Sequence, residues 1–529
     1  MEFVVLDKKT MDFSTTFKNS IYGILHGFDR IIIKGHIPHF YHGNNFYYFL
    51  DQEGIKLKDF KDYVIKVTTS IKDHLESIVT ESGCYKEYLR KPDVSKEDIA
   101  KRVMGEKGIK EGLICALSVV EPCYALSIEY NKDTGKLEKN TQYRKCLHYY
   151  FYYMDKELGF MHVKLQTWFP FNIQIYINGK SYLMQQLQKS GIKYERYENS
   201  ITWVEDLEKA QQISDRFHEK KWDAVFDVFA KRLNIYTHRI EEIYGGHGYK
   251  WTIQESEYAS DVLFKSTAEL QKYFPYFIEY ASLCQMGSNI YTFFGRKLHG
   301  HCKGETVSDR KYFWNQGFRV KFMLEKNFIK MYDKTNVLRI ETTINNANAF
   351  KIRNPNKEGT KKWVPMRKAM SNLYRYAEVA KACNLRYLNS LNSVNRDNWH
   401  DRKIEKLCKS TEVKLSASKK SRPRKYAGFN LLSDFTCNVF NAILHGSFKI
   451  RGFKNKELRF LLVELGAYSR DELKNVKKLS GKISRLIAKL RAHKIVTKLP
   501  NTFRYRVTKL GEEIIARILM FKKLDLKFC

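Results

Sequence analysis

Between Arg319 and Asn345 the chain alternates apolar and polar residues with the period of a β-strand, and no other stretch constrains the fold as closely. In Phe328–Lys334 the alternation puts Lys330, Tyr332 and Lys334 on one face, with Ile329 and Met331 on the other. In Val337–Asn345, Arg339, Glu341, Thr343 and Asn345 share a face opposite Leu338, Ile340 and Ile344. The turn falls in Asp333-Lys334-Thr335-Asn336, and the preceding strand carries Arg319 and Lys321 on its polar side. Paired in sequence, these strands set an apolar side on a core and line the other side with Tyr, Lys, Arg and Glu.

The remaining chain reads as an α+β protein of several parts. With 43% hydrophobic and 14% aromatic residues it can bury a large core, which rules out wholesale disorder. At roughly 150 residues per domain the length suggests three or four folding units. Residues 1–200 form a strand-rich part with helical insertions, including a buried strand over 29–34 and a helix over 59–80. Two extended runs, 113–121 and 123–130, are split by Pro122, and 143–153 is an aromatic strand. Residues 201–290 read as a helical insertion, with Glu255, Glu257 and Asp261 at the head of a helix over 255–284. Residues 291–408 hold the polar-faced hairpin of 319–345 and a long amphipathic helix over 363–392. Residues 409–428, rich in Ser, Lys and Arg, read as a basic linker.

Residues 429–529 follow the order helix, helix, basic helix, basic hairpin, helix. The third helix, 479–493, has an apolar stripe of Leu479, Ile483, Leu486, Ile487 and Leu490, while Lys482, Ser484, Arg485, Lys489 and Arg491 take the other side. In the hairpin 495–508, Lys498, Arg504 and Arg506 are cationic. This order resembles the winged helix-turn-helix of bacterial DNA-binding proteins, which implies a recognition helix and a wing that contact phosphates. The fold expected is therefore a mixed or antiparallel sheet body with helical insertions and a C-terminal winged helix-turn-helix.

Charge points to the partner. Lys and Arg number 93 against 58 Asp and Glu, a net charge of +35, and a polyanion relieves such self-repulsion. Nucleic acid is the expected partner, DNA first and structured RNA second, and a homodimer is compatible with this. No apolar run is long enough to span a membrane, and the first residues lack the layout of a signal peptide. Ten scattered cysteines without a C-x-x-C pair fit a reducing cytoplasm, with association to the nucleoid. No P-loop, G-x-G-x-x-G or G-x-S-x-G pattern occurs, so nucleotide hydrolysis, dinucleotide redox and esterase chemistry are unsupported.

A tyrosine beside Lys and Arg with a neighbouring carboxylate can carry out transesterification at a phosphodiester, the carboxylate holding a divalent metal. Ile329-Lys330-Met331-Tyr332-Asp333-Lys334, followed by Leu338-Arg339-Ile340-Glu341, resembles the Tyr-Asp-Lys … Arg-x-Glu motif of rolling-circle replication initiators and relaxases. The resemblance implies Tyr332 as nucleophile, Glu341 as a ligand of Mg²⁺ or Mn²⁺, and Lys330 and Arg339 as phosphate contacts, with strand nicking and joining as the activity. The chain lacks the His-hydrophobic-His strand of the larger superfamily, and His299-Gly300-His301 is no substitute. As a whole it resembles an uncharacterised bacterial family with a winged-helix tail, often multicopy, which implies a mobile element.

A second hairpin echoes the first. His162, Lys164 and Gln166 share one strand face, as do Asn172, Gln174, Tyr176 and Asn178. His162 is a candidate metal ligand or general base, and Lys164, Lys321 and Lys334 are candidate nucleic-acid contacts. Two other readings stay open. One is a binding protein without catalysis, a DNA or RNA regulator or ribonucleoprotein component. The other is a two-metal nuclease or transposase using carboxylates such as Asp29, Glu257 and Asp261.

Overall fold

The computed structural model describes residues 12–525, apart from 43, 284, 286, 297–305, 314–316, 356–360, 395–401, 414–422 and 432. It is a mixed α/β structure built on one large sheet. The strands are β1 (Ile21–His36), β2 (Tyr85–Leu89), β3 (Gly112–Asn131), β4 (Lys136–Asp155), β5 (Gly159–Gln166), β6 (Ile173–Asn178), β7 (Tyr194–Tyr197) and β8 (Ser200–Val204). They continue with β9 (Lys250–Phe264), β10 (Thr306–Phe313), β11 (Gly317–Leu324), β12 (Asn327–Lys334) and β13 (Val337–Ile344). Eleven of them form the sheet in the order β10-β11-β12-β13-β9-β1-β6-β5-β4-β3-β2, while β7 and β8 make a separate hairpin. The β2–β3 pair is parallel, whereas the β3–β4, β4–β5, β5–β6, β1–β6, β10–β11 and β11–β12 pairs are antiparallel.

Contacts divide the chain into two compact units that are not consecutive stretches. The first takes residues up to Ile24, Ser260–Thr342 and everything from Ala382. The second takes Leu25–Ala259 and Thr343–Lys381.

In the first unit the alternation of 319–345 becomes a meander. Arg319 faces Tyr332 and Lys321 faces Lys330 across β11 and β12, so the polar residues do share one side. On the other side Ile329, Met331, Leu338 and Ile340 are fully buried. The end of the helix Leu373–Ser390 covers them: Tyr387 donates to the Met331 sulfur at 3.7 Å, and Thr342 donates to the Asn384 side-chain oxygen at 2.6 Å. The turn is tighter than expected, with Thr335 at φ 54° beside Asn336.

The C-terminal part has its own core, which includes Phe440, Leu458, Leu462, Ile483, Leu490 and Ile515. Its helices are Asp434–Ile443, Gly446–Arg451, Asn455–Glu464, Val476–Ala492 and Lys509–Asp525, with a hairpin of Val496–Lys498 and Tyr505–Val507. Ser433 and Asn475 cap two of these helices by accepting from the amides of Thr436 and Lys478. The expected linker is bracketed by a short ladder of Thr411–Val413 against Arg424–Tyr426, and its middle lies outside the described residues.

Three expectations are corrected. The helix over 255–284 does not start at Glu255, because Lys250–Phe264 is a strand and helices begin only at Thr267 and Phe274. From Trp251 on, nearly every residue of that strand is at least half-buried, which erases the alternation that would have revealed it. Pro122 does not split β3, which runs unbroken for 20 residues. Its outer neighbour β2 pairs only as far as Val119, so an edge lacking an N–H costs nothing there. The long helix starts at Leu373, and Lys361–Pro365 is instead a strand paired with Lys351–Pro355.

Candidate functional site

Adjacent positions on β12 point Lys330 and Tyr332 to the same side, and both side chains meet one carboxylate of β13. The Lys330 ammonium donates to Glu341 Oε1 at 2.7 Å, and the Tyr332 hydroxyl donates to Glu341 Oε2 at 2.8 Å. Glu341 is buried, while Lys330 and Tyr332 are half-buried. A phenol bonded to a carboxylate has an acceptor in place for its proton.

Glu341 is also one of three buried acids that can bind a metal. One carboxylate oxygen from each of Asp29, Glu257 and Glu341 lies within 4.8 Å of the others. Asp29 accepts from the Asn199 amide at 3.0 Å. Glu257 accepts from the Arg30 guanidinium at 3.1 Å and from the Thr343 hydroxyl at 3.3 Å, and Arg30 also pairs with Glu255. Converging carboxylate oxygens suit a hard divalent cation such as Mg²⁺ or Mn²⁺, and they repel one another without cationic neighbours. The sequence offers Asp29 and Glu257 as members of a carboxylate site with Asp261. Strand spacing keeps Glu257 and Asp261 on one face, as a helix would, but only Glu257 joins the group.

Asp261 is engaged elsewhere, and so is Arg339. The Arg339 guanidinium makes two hydrogen bonds to Asp261, at 2.7 and 3.0 Å, with both side chains wholly buried. Arg339 is therefore a structural ion-pair partner, and the phosphate contact expected of it is corrected.

His162 does not belong to the acid group. Its ring stacks on Tyr176 at 4.9 Å and 5° and packs against Tyr152 at 4.9 Å. Burial first, then the charges of Lys164 and Lys96, press its pKa from 6.5 to about 3, so it stays neutral. Its expected role as a metal ligand is corrected because the ring is packed between tyrosines and lies outside the acid group, although a neutral imidazole is itself a competent ligand. Lys164 is likewise committed: with Lys96 it binds Glu121, at 2.6 and 3.0 Å, and Tyr150 donates to the same carboxylate at 2.8 Å. Despite the opposing effect of burial, these donors hold Glu121 at about 2.

The cluster predicts an acid sensitivity. A histidine with a folded pKa below 6.5 binds its proton more readily when unfolded, so its contribution is complete above pH 6.5 and lost as the pH falls toward 3. Glu121 adds loss in the same direction as the pH falls from 4.5 toward 2. Wild-type urea midpoints should drop between pH 6.5 and 4, and His162→Phe should flatten that slope; an unchanged slope in the variant would refute the assignment.

The remaining candidate cations fall into two groups. Lys321 sits 3.7 Å over the Phe328 ring, and Lys334 is half-buried at the end of β12. In the C-terminal helix Lys482 pairs with Glu472 at 2.6 Å, and Lys489 donates to the Gly428 carbonyl at 2.9 Å over the ring of Phe429. Arg504 binds Glu457 and the Gly452 carbonyl, and Arg491 and Arg506 are half-buried. The open face of Val476–Ala492 is instead Lys477, Lys478, Gly481, Ser484 and Arg485, and of the expected set only Ser484 and Arg485 belong to it. Lys477 and Lys478 were legible as i and i+1 of a stripe continued at i+4, i+7 and i+8. At the hairpin, Lys498 is exposed 5.7 Å from the ring of Phe503, which is itself 83% exposed.

Among the described residues no helix is long and apolar enough to cross a membrane. The chain matches no protein family, no curated protein and no solved structure.

Proposed function

We propose that the protein is a metal-dependent enzyme that nicks and rejoins nucleic-acid strands, with Tyr332 as nucleophile. The observation that carries this reading is the hydrogen bond from Tyr332 to Glu341, a carboxylate that also converges with Asp29 and Glu257. Asp29, Glu257 and Glu341 would hold Mg²⁺ or Mn²⁺, which supplies Lewis acidity at a phosphate oxygen. Tyr332 Oη attacks phosphorus and its proton passes to Glu341 Oε2. The Oη–P bond forms as the P–O bond to the leaving strand breaks, and the reverse reaction reseals the strand. Lys330, already at Glu341, offers its charge to the phosphoryl oxygens. The test is incubation of the protein with single-stranded and hairpin DNA and RNA, with and without Mn²⁺, followed by a denaturing gel. Metal-dependent cleavage with a protein-linked strand is the expected result. Cleavage without a linked strand would transfer the reaction to the second reading, a water-activating carboxylate nuclease, which the joining of Asp29 and Glu257 to Glu341 favours.

The C-terminal part we read as a winged helix that docks on duplex DNA. The support is its element order and the exposed Lys477, Lys478 and Arg485 on the third long helix. Neutralising all three with Gln should weaken duplex binding uniformly across sequences. The slope of log K against log salt should become shallower by roughly 2.7, at 0.9 per phosphate contact. An unchanged slope would remove this face from the interface.

A further inference from the structure

Half of the long β3–β4 hairpin presents an unusual surface. Opposed residues of an antiparallel pair share a face, and the register sets Val120 against Leu147, Pro122 against Lys145 and Tyr124 against Tyr143. Tyr124 is 64% and Tyr143 66% exposed, their rings in edge contact at 5.2 Å. Val120, Pro122 and Lys145 are exposed beside them. Large aromatics this open on a sheet need an explanation. The charges are sorted as well: Glu121, Glu129 and Glu138 all alternate to the opposite face, where Glu129 accepts from Asn140. The tyrosine face carries only cations. Among these Lys139 is tied to the Phe40 carbonyl, and Lys145 has no carboxylate partner among the described residues.

We infer that this strip, Tyr124, Tyr143 and Lys145 with Val120 and Pro122, is a binding platform for single-stranded nucleic acid. Bases stack on the two rings, and the lysine meets the backbone. A phosphodiester polymer is the occupant because the strip itself carries a lysine and no acid, and an unpaired strand is its form because only unpaired bases offer their faces. The inference rests on the nucleic-acid reading above and gives it a substrate class.

The test is fluorescence anisotropy with a labelled single strand and with a duplex, in EDTA, on the full chain. Tyr124→Ala/Tyr143→Ala should weaken single-strand binding roughly 10- to 100-fold or more, with duplex affinity unchanged. Tyr124→Phe/Tyr143→Phe, which keeps the rings, should stay within about twofold of wild type, and its recovery separates stacking from misfolding. Equal single-strand affinity in the alanine variant would overturn the inference. So would sedimentation showing that the strip joins two copies of the chain and that the alanine variant separates them. Because binding is read without metal, a protein that grips single strands here yet never cleaves them defeats only the catalytic reading. One that cleaves normally while the alanine variant binds normally defeats only this one.

Discussion

Tyr332→Phe is expected to abolish the protein-linked strand and to lower cleavage by a factor on the order of 10⁶, the scale seen when a covalent nucleophile is removed. The variant keeps the ring and loses only Oη and its 2.8 Å bond to Glu341, so Glu341 keeps Lys330 and metal binding should persist. Nucleic-acid affinity should stay close to wild type, since one hydroxyl contributes little to a charge-dominated interface. A Tyr332→Phe protein that cleaves at the wild-type rate ends the tyrosine mechanism. If that protein cleaves and Glu257→Gln does not, the nucleophile is water and the carboxylates do the chemistry.

The second large effect is on stability. Arg339→Met removes the guanidinium that pairs with Asp261 where both side chains are wholly buried, and breaking one side of such a pair costs about 3–5 kcal/mol. Replacing both partners, Arg339→Met with Asp261→Leu, should recover most of that loss, because a matched apolar pair needs no counter-charge. The measurement is the denaturant midpoint of the two variants beside wild type. Were the single variant as stable as wild type, the pair would not be a buried bridge. A change confined to catalysis, with the midpoint unmoved, would return Arg339 to the phosphate.

Legibility followed how local the determining physics is. The C-terminal helices were readable to within a few residues because each is amphipathic and capped within its own turns, with Leu479, Ile483 and Leu490 buried as the spacing required. The meander of 319–345 was readable because one face is polar, and β9 was not because burial takes in both faces of most of its length. In the site, the polar faces placed Lys330, Tyr332 and Glu341 correctly on one side of the sheet. The exclusion of Arg339 depended on Asp261, 78 positions away, and that of His162 on two tyrosines from other strands. Local spacing carries no trace of such partners. Lys482, Lys489 and Arg504 are each drawn to an acceptor from outside their own element, which spacing along the chain likewise does not reveal.

The interleaved division of the chain has a consequence for biosynthesis. The unit that holds Tyr332 closes only when residues before Ile24, between Ser260 and Thr342, and beyond Ala382 are all present. Until synthesis passes Lys381 the other unit lacks its Thr343–Lys381 piece, and until the segment from Ala382 follows, Tyr332 has no finished fold around it. A chain that stops before Ala382 thus carries Tyr332 in an incomplete unit.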